Sequence, residues 1–247
     1  MRSILALIEI EKHTYSQLPL FEFIQDETID PLKRFSFCPC SAPFIMGFSD
    51  LCKYSLRQEP TTDKLQIILN QHSYEDDFHW QWFLEDMHKL GFNSSIDFNH
   101  SLEFLWGDAT KNSRLLLLEL HSLLVKADTL EKLIIMEAME ATADVFLSYT
   151  KKVTDKLKLI NNQEYQYFGN FHIDVEHSHD AHSHDVSQFI KDIYVSDKTR
   201  EQAVSSIEKV FELFTQWTYS LLNYAENYQI SEPLEAQLEL EKKLKVA

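Results

Sequence analysis

Residues 128–158 read DTLEKLIIMEAMEATADVFLSYTKKVTDKLK, and this stretch decides the fold class. It contains neither glycine nor proline, and its apolar residues recur at helical spacing. Asp128, followed three residues later by Glu131, resembles a capping box, in which each side chain binds a free N–H at the start of a helix. The pattern therefore predicts a helix that begins here and runs to about Lys158.

The rest of the chain is typical of the same class. It contains only 4 glycines and 6 prolines in 247 residues, with no proline between Pro60 and Pro233. β-Sandwiches and α/β folds need these residues for their many turns, so we expect an all-α protein, a bundle of about seven helices. One domain is expected over residues 1–230, followed by a polar C-terminal tail, 231–247. The other helices are expected as two or three short ones in 1–58 and longer ones over 62–90, 113–126, 163–193 and 199–229.

Composition excludes several kinds of partner. Lys and Arg number 23 against 39 Asp and Glu, and the net charge of −16 argues against nucleic acid or an anionic membrane surface. We find no apolar run long enough to span a membrane and no signal-peptide pattern.

Cys38, Cys40 and Cys52 lack paired C-x-x-C spacing, which predicts reduced thiols in a cytoplasmic protein. No two glycines are close enough for a phosphate-binding loop.

Two short segments carry the same arrangement of metal-ligating residue types. Residues 72–79 read HSYEDDFH and residues 172–179 read HIDVEHSH. Each has a histidine, an acid four residues later and a second histidine after three more. On one helix these offsets place three side chains within an arc of about 60°. The two predicted ligand trios are His72, Asp76 and His79, and His172, Glu176 and His179, with Glu75 as a substitute for Asp76.

Each segment also has a simpler interpretation. A single histidine–acid pair on a helix is normally a solvated surface feature, but two copies of one spacing favour a shared site. Histidine and carboxylate three residues apart on facing helices is the ligand scheme of dimetal sites in helical bundles. The second segment continues as HSHDAHSHD, residues 177–185, and such a histidine-rich tract can also bind metal loosely without a defined structure.

A third helix should supply a further carboxylate. Glu137, Glu140 and Asp144 lie within LIIMEAMEATADVFL, where nearly every other residue is apolar. A buried carboxylate without a cation costs several kcal/mol, whereas one that faces a metal is compensated. Spacing does not choose between Glu137 and Glu140, and Asp144 is better explained as a solvent-exposed acid. Six or seven nitrogen and oxygen ligands without thiolate suit two iron or manganese ions better than one tetrahedral zinc.

These motifs resemble those of the heme-oxygenase-like diiron oxidases and oxygenases. In that family one helix supplies an acid and a histidine, a second a glutamate, and a third His-x-x-x-Asp-x-x-His. The third motif matches His172, Glu176 and His179, with glutamate where the family usually has aspartate. Residues 18–35, LPLFEFIQDETIDPLKRF, resemble the opening helices of the family, and the likeness covers about residues 16–225. The first motif matches Asp76 or Glu75 with His79, the second matches Glu137 or Glu140, and His72 is left as an extra residue that could orient a ligand.

The resemblance implies an iron-dependent enzyme with two iron ions, or manganese and iron, that activates O₂ on a small substrate. Relatives act on fatty acids, amino acids or aromatic cofactor precursors. Two other hypotheses stay open: a metal-free enzyme of the thiaminase II or pyrroloquinoline-quinone synthase kind, with a nucleophile such as a pocket cysteine, and a non-catalytic metal-binding protein. The sequence leaves the oligomeric state open, a homodimer included.

Overall fold

The computed structural model describes residues 1–92, 97–178 and 184–227, and over these residues it is all-helical, without a β-strand. The predicted all-α class is confirmed, although the described residues form more helices than the seven expected. A 3₁₀ turn at Lys33–Phe35 precedes α3, and a π-helical turn at Cys52–Leu56 follows it. The α-helices are α1 Arg2–Tyr15, α2 Pro19–Gln25, α3 Cys38–Leu51, α4 Lys64–Asp76, α5 Trp80–Lys89, α6 Phe98–Trp106, α7 Lys111–Leu124, α8 Thr129–Asn161, α9 Asn170–Ser178, α10 His184–Asp192 and α11 Asp197–Asn227.

Two long helices, α8 with 33 residues and α11 with 31, form the centre of the bundle. They pack against each other, and α1, α2, α4 and α9 pack against α8. The buried apolar side chains form one core cluster whose members run from Met1 to Ala225. Within the described ranges, no helix combines the length and the apolar character that crossing a membrane requires.

The start of α8 is the one that the sequence predicts. The Asp128 carboxylate accepts the backbone N–H of Glu131 at 2.9 Å, which satisfies one of the free donors of the first turn. The Glu131 carboxylate accepts the hydroxyl of Ser206 at 2.7 Å and so links α8 to α11. The helix ends at Asn161, and Asn162 follows in the left-handed conformation with φ of 55°.

The prediction of a single helix over residues 62–90 is wrong, because a turn at residues 77–79 separates α4 from α5. Asp77, at the break, is held by two side chains from other elements. The Arg57 guanidinium pairs with its carboxylate at 2.9 Å, and the Ser49 hydroxyl donates to its backbone carbonyl at 2.6 Å. The N–H of Gln81, whose regular helical acceptor would be the carbonyl of Asp77, donates instead to the carbonyl of Phe78 at 3.0 Å, so the helix is interrupted here without glycine or proline. The predicted end of the segment at Gly91 is confirmed, with φ of +87°.

The helix expected over residues 163–193 is also wrong. Residues 162–169 form a loop, here the α8–α9 loop, and α9 begins only at Asn170. The side chain of Phe168 is fully buried, with ring centroids 5.1 Å from Phe35 and 5.9 Å from Phe83, so the loop is anchored in the core. Helix α6 was not expected, and the predicted tail, 231–247, lies outside the described residues.

The N-terminal cap of α8 gives a test of the fold. Asp128→Ala removes the acceptor for Glu131 N–H, and we expect the free energy of unfolding to fall by about 1 kcal/mol. Asp128→Asn keeps an acceptor oxygen at this position and should cost only a few tenths of that value. Urea unfolding of both variants measures the difference, and equal losses would contradict the role of the cap.

Candidate metal centre

Among the described residues, the tightest group of potential ligands joins α4 to α8. His72 Nε2 lies 2.9 Å from Asp76 Oδ2 and 3.2 Å from Glu140 Oε1. One ligand atom from each of the three residues lies within 4.8 Å of the other two. Ligands that share one ion at bond lengths of about 2.1 Å are themselves about 3 Å apart. The spacing of these three side chains therefore fits one metal ion.

A second group lies beside the first and joins α5 to α9. His79, the residue before α5, places Nδ1 3.0 Å from Nε2 of His172. The same Nδ1 lies 3.9 Å from Asp76 Oδ1. Asp76 thus directs Oδ2 to His72 and Oδ1 towards His79. A carboxylate whose oxygens face two different groups is the arrangement that bridges two metal ions in helical bundles.

The backbone selects the tautomer of the neutral His172 ring. Its Nδ1 lies 2.9 Å from the carbonyl oxygen of Tyr167. Because a carbonyl can only accept, Nδ1 carries the ring proton and donates it to Tyr167. In the neutral ring Nε2 is then the nitrogen with the lone pair, and it faces Nδ1 of His79 at 3.0 Å. Most metal-binding histidines are oriented by such a bond from the second ring nitrogen.

The centre contains more acidic groups than positively charged ones. Burial alone would lower the pKa of His72, but Asp76 and Glu140 outweigh it and raise this pKa well above its usual range. Burial and, to a smaller extent, the nearby Glu140 raise the pKa of Glu137 to about 7, against a lowering by His72. The three carboxylates therefore favour a cation among them, either a proton on His72 or a metal ion.

Aromatic rings shield the histidines from water. The indole of Trp82 stacks on the imidazole of His79, with centroids 4.3 Å apart and planes 19° apart. The ring of Phe78 meets His79 edge-on, and the ring of Tyr167 lies 4.9 Å from that of His172. His79 and His172 are 7% and 6% exposed. Their nitrogens are thus available mainly to each other, to the acids and to the adjoining cavity.

Most residues of the centre line a cavity of about 330 Å³, within the range of small-molecule sites. At the surface Lys12 Nζ pairs with Asp144 Oδ2 at 2.5 Å, and both residues line the cavity. The cavity therefore connects an apolar interior to a charged opening. Its wall at the centre comprises Asp76, His79, Glu137, Glu140 and His172, and its apolar wall includes Leu5, Ile8, Phe44, Ile45, Phe48, Met139, Phe146, Leu147, Ile173, Phe214 and Trp217.

The structure places most of the predicted ligands together. His72, which the resemblance leaves as an extra residue, belongs to the tightest group. His79 lies in the turn between α4 and α5, so the prediction of one continuous helix for the first trio was wrong, although its three residues lie close together. Both Glu137 and Glu140 line the cavity. Glu176 belongs to α9, but its side chain and the whole of His179 lie outside the described residues.

Two other acids do not belong to the group formed by His72, Asp76 and Glu140. The half-buried Glu75 accepts the side-chain amide of Gln71 at 3.3 Å and is not among the described residues that line the cavity. Asp144 is exposed, as expected, and it pairs with Lys12. Of the two neighbouring acids in the first motif, the geometry favours Asp76.

Sequence reasoning missed Asp86, which is fully buried in α5. It accepts the backbone N–H groups of Gln166 and Phe168, both at 2.9 Å. A signal was present in the sequence, because Asp86 lies between the buried Phe83 and Leu90 on the apolar face of its helix.

No protein-family model matches the chain, and no curated protein matches its sequence. The heme-oxygenase-like assignment therefore stays a prediction based on the motifs.

The two acids of the first motif can be separated by metal titration. We expect Asp76→Asn to weaken Co²⁺ binding at least about 100-fold, because it removes the carboxylate that faces both histidines. Glu75→Gln, one residue away, should bind Co²⁺ with nearly the wild-type affinity. The visible absorption of bound Co²⁺ reports both affinities, and a larger loss in Glu75→Gln would reverse the choice of ligand.

Proposed function

We propose that this protein is a dinuclear iron oxidase or oxygenase that uses O₂ on a small substrate bound in the apolar cavity. The observation that carries the proposal is the position of Asp76, whose two oxygens face His72 and His79 at one end of that cavity. Glu137, Glu140 and His172 line the same end. Manganese in place of one iron fits the same ligands.

The available donors fit two divalent ions. Three imidazoles and three carboxylates supply six side chains, and the acids offset most of the combined charge of +4. Among the described residues that line the cavity there is no cysteine, which favours iron or manganese over soft metals. When bound, a pair of such ions can bind and reduce O₂, whereas zinc cannot supply electrons. His72, Asp76 and Glu140 would hold one ion, and His79, His172 and Asp76 the other, with Glu137 available to either.

The chain's own residues would prepare the substrate site. The apolar wall excludes water and favours a small apolar molecule or an amino-acid or fatty-acid derivative. The Lys12–Asp144 pair at the opening offers charges of both signs to a polar end of the substrate. Trp82 covers the outer face of His79 and limits the access of water to that ligand.

The nucleophilic-cysteine alternative is less well supported. All three cysteines are buried, and burial raises the pKa of Cys38 and of Cys52 well above the usual range of a thiol. Cys40 donates its S–H to the carbonyl of Ala109 at 2.8 Å. A catalytic thiol needs the opposite, a lowered pKa and access to substrate. Cytoplasmic location and a homodimer stay predictions.

Iron loading tests the proposal. We expect anaerobically loaded wild-type protein to bind two Fe²⁺ per chain, to consume O₂ and then to give the Mössbauer spectrum of two coupled ferric ions. His79→Ala should lose this coupled spectrum and retain at most one iron. His88→Ala, an exposed histidine of α5, is the matched control and should behave as wild type.

Two results would contradict the proposal. One redox-inactive ion per chain without O₂ consumption would indicate a structural metal site. Retention of neither iron nor manganese would favour a metal-free enzyme.

A further inference from the structure

The α8–α9 loop, residues 162–169, orients His172. The Nδ1–H of His172 donates to the carbonyl of Tyr167 at 2.9 Å, and its backbone N–H donates to the carbonyl of Gln166 at 3.1 Å. Both bonds end on the same two-residue stretch of backbone. The direction of the imidazole therefore depends on the loop as well as on α9.

One carboxylate holds this stretch from the opposite side. Oδ1 of Asp86 accepts the N–H of Gln166 and Oδ2 accepts that of Phe168, each at 2.9 Å. The two donors flank Tyr167, whose carbonyl faces His172. Because two acceptors of one rigid group bind two neighbouring peptides, they fix the rotation of the segment as well as its position.

A carboxylate is required for this double contact. Burial raises the pKa of Asp86 to about 6, and the backbone donors from Phe168 and Gln166 oppose that rise. An apolar side chain would avoid this burial cost but would leave two buried N–H groups unsatisfied. An amide carries its acceptor oxygen on one branch only, so one of the two N–H groups would face the amide NH2 instead of an acceptor.

We propose that Asp86 is a positioning residue that sets the ring orientation and tautomer of His172 through the backbone at Tyr167. Helix α5 then controls both histidines of the second group, because His79 lies at its N-terminal end and Asp86 lies two turns further on. The role of Asp86 in metal binding rests on the proposed function, in which His172 is a ligand. Its effect on the tautomer of His172 does not.

Other contacts keep the loop folded when Asp86 is changed. Lys89 Nζ donates to the carbonyl of Glu164 at 2.6 Å, and the Thr154 hydroxyl donates to that of Phe168 at 3.2 Å. Loss of Asp86 should therefore shift the loop rather than unfold the bundle. Gly169 offers an independent way to move it, because a Cβ there would lie 2.2 Å from the carbonyl oxygen of Tyr165.

The first measurement needs neither metal nor activity. ¹⁵N NMR of histidine-labelled, metal-free protein distinguishes the two neutral tautomers, and loss of a signal in His172→Gln assigns the residue. We expect wild-type His172 to be protonated at Nδ1. Protonation at Nε2 alone would overturn the proposal, whatever the variants do.

The second measurement compares variants. In Asp86→Asn and in Gly169→Ala we expect mixed tautomers of His172 and a loss of about 10–100-fold in Co²⁺ affinity at the His79–His172 position. Tyr15→Phe is the control: it loses the buried bond of 2.8 Å to Thr218 and should leave both readouts unchanged. Wild-type signals in Asp86→Asn would contradict the proposal.

The two proposals can fail separately. If wild-type protein binds no second ion but Asp86→Asn still changes the tautomer, the positioning role stands and the dinuclear centre does not. If two ions bind and the tautomer is unaffected, the dinuclear centre stands and Asp86 is only structural. Should Asp86→Asn fail to fold, Gly169→Ala and the wild-type tautomer still decide the question.

Discussion

The packing of the centre depends on how three acids in an apolar interior are compensated by positive charge. Asp76, Glu137 and Glu140 meet where α4 crosses α8, and isolated carboxylates there would destabilise the fold by several kcal/mol. Without a metal, Asp76 and Glu140 raise the pKa of His72 and so favour a proton on its imidazole, between the two carboxylates. A metal ion would take the place of that proton, so metal binding, protonation of His72 and the packing of α4 on α8 are coupled.

The sequence predicted correctly the helices that are determined by their own residues. Helix α8 follows from its cap at Asp128 and its apolar pattern, and the scarcity of glycine and proline predicted the all-α class. The break at Asp77 could not be predicted in this way, because the side chains that hold it, from Arg57 and Ser49, are distant in sequence. The α8–α9 loop is the same case, since the acceptor of its N–H groups is Asp86, about 80 residues earlier.

The choice among neighbouring acids also depends on tertiary packing. Glu75 and Asp76 are adjacent in sequence, and only the approach of α8 brings Glu140 to the face that carries Asp76 and His72. Glu137 and Glu140 looked like alternatives, yet both line the cavity. Two acids three residues apart on a helix are separated by a rise of about 4.5 Å along its axis. This is close to the roughly 4 Å between the two ions of a dimetal centre, so each acid can bind a different ion.

The position of the centre also bears on whether a metal there would be structural or catalytic. Structural sites surround the ion with protein ligands, whereas catalytic sites keep a position open to substrate. Here five candidate ligands line the cavity of about 330 Å³, namely Asp76, His79, Glu137, Glu140 and His172. If the ion were purely structural, a protein with apolar side chains in that space would be more stable, because close packing stabilises a core and a cavity destabilises it. The retained space next to the acids and imidazoles therefore favours a site at which a second molecule meets the metal.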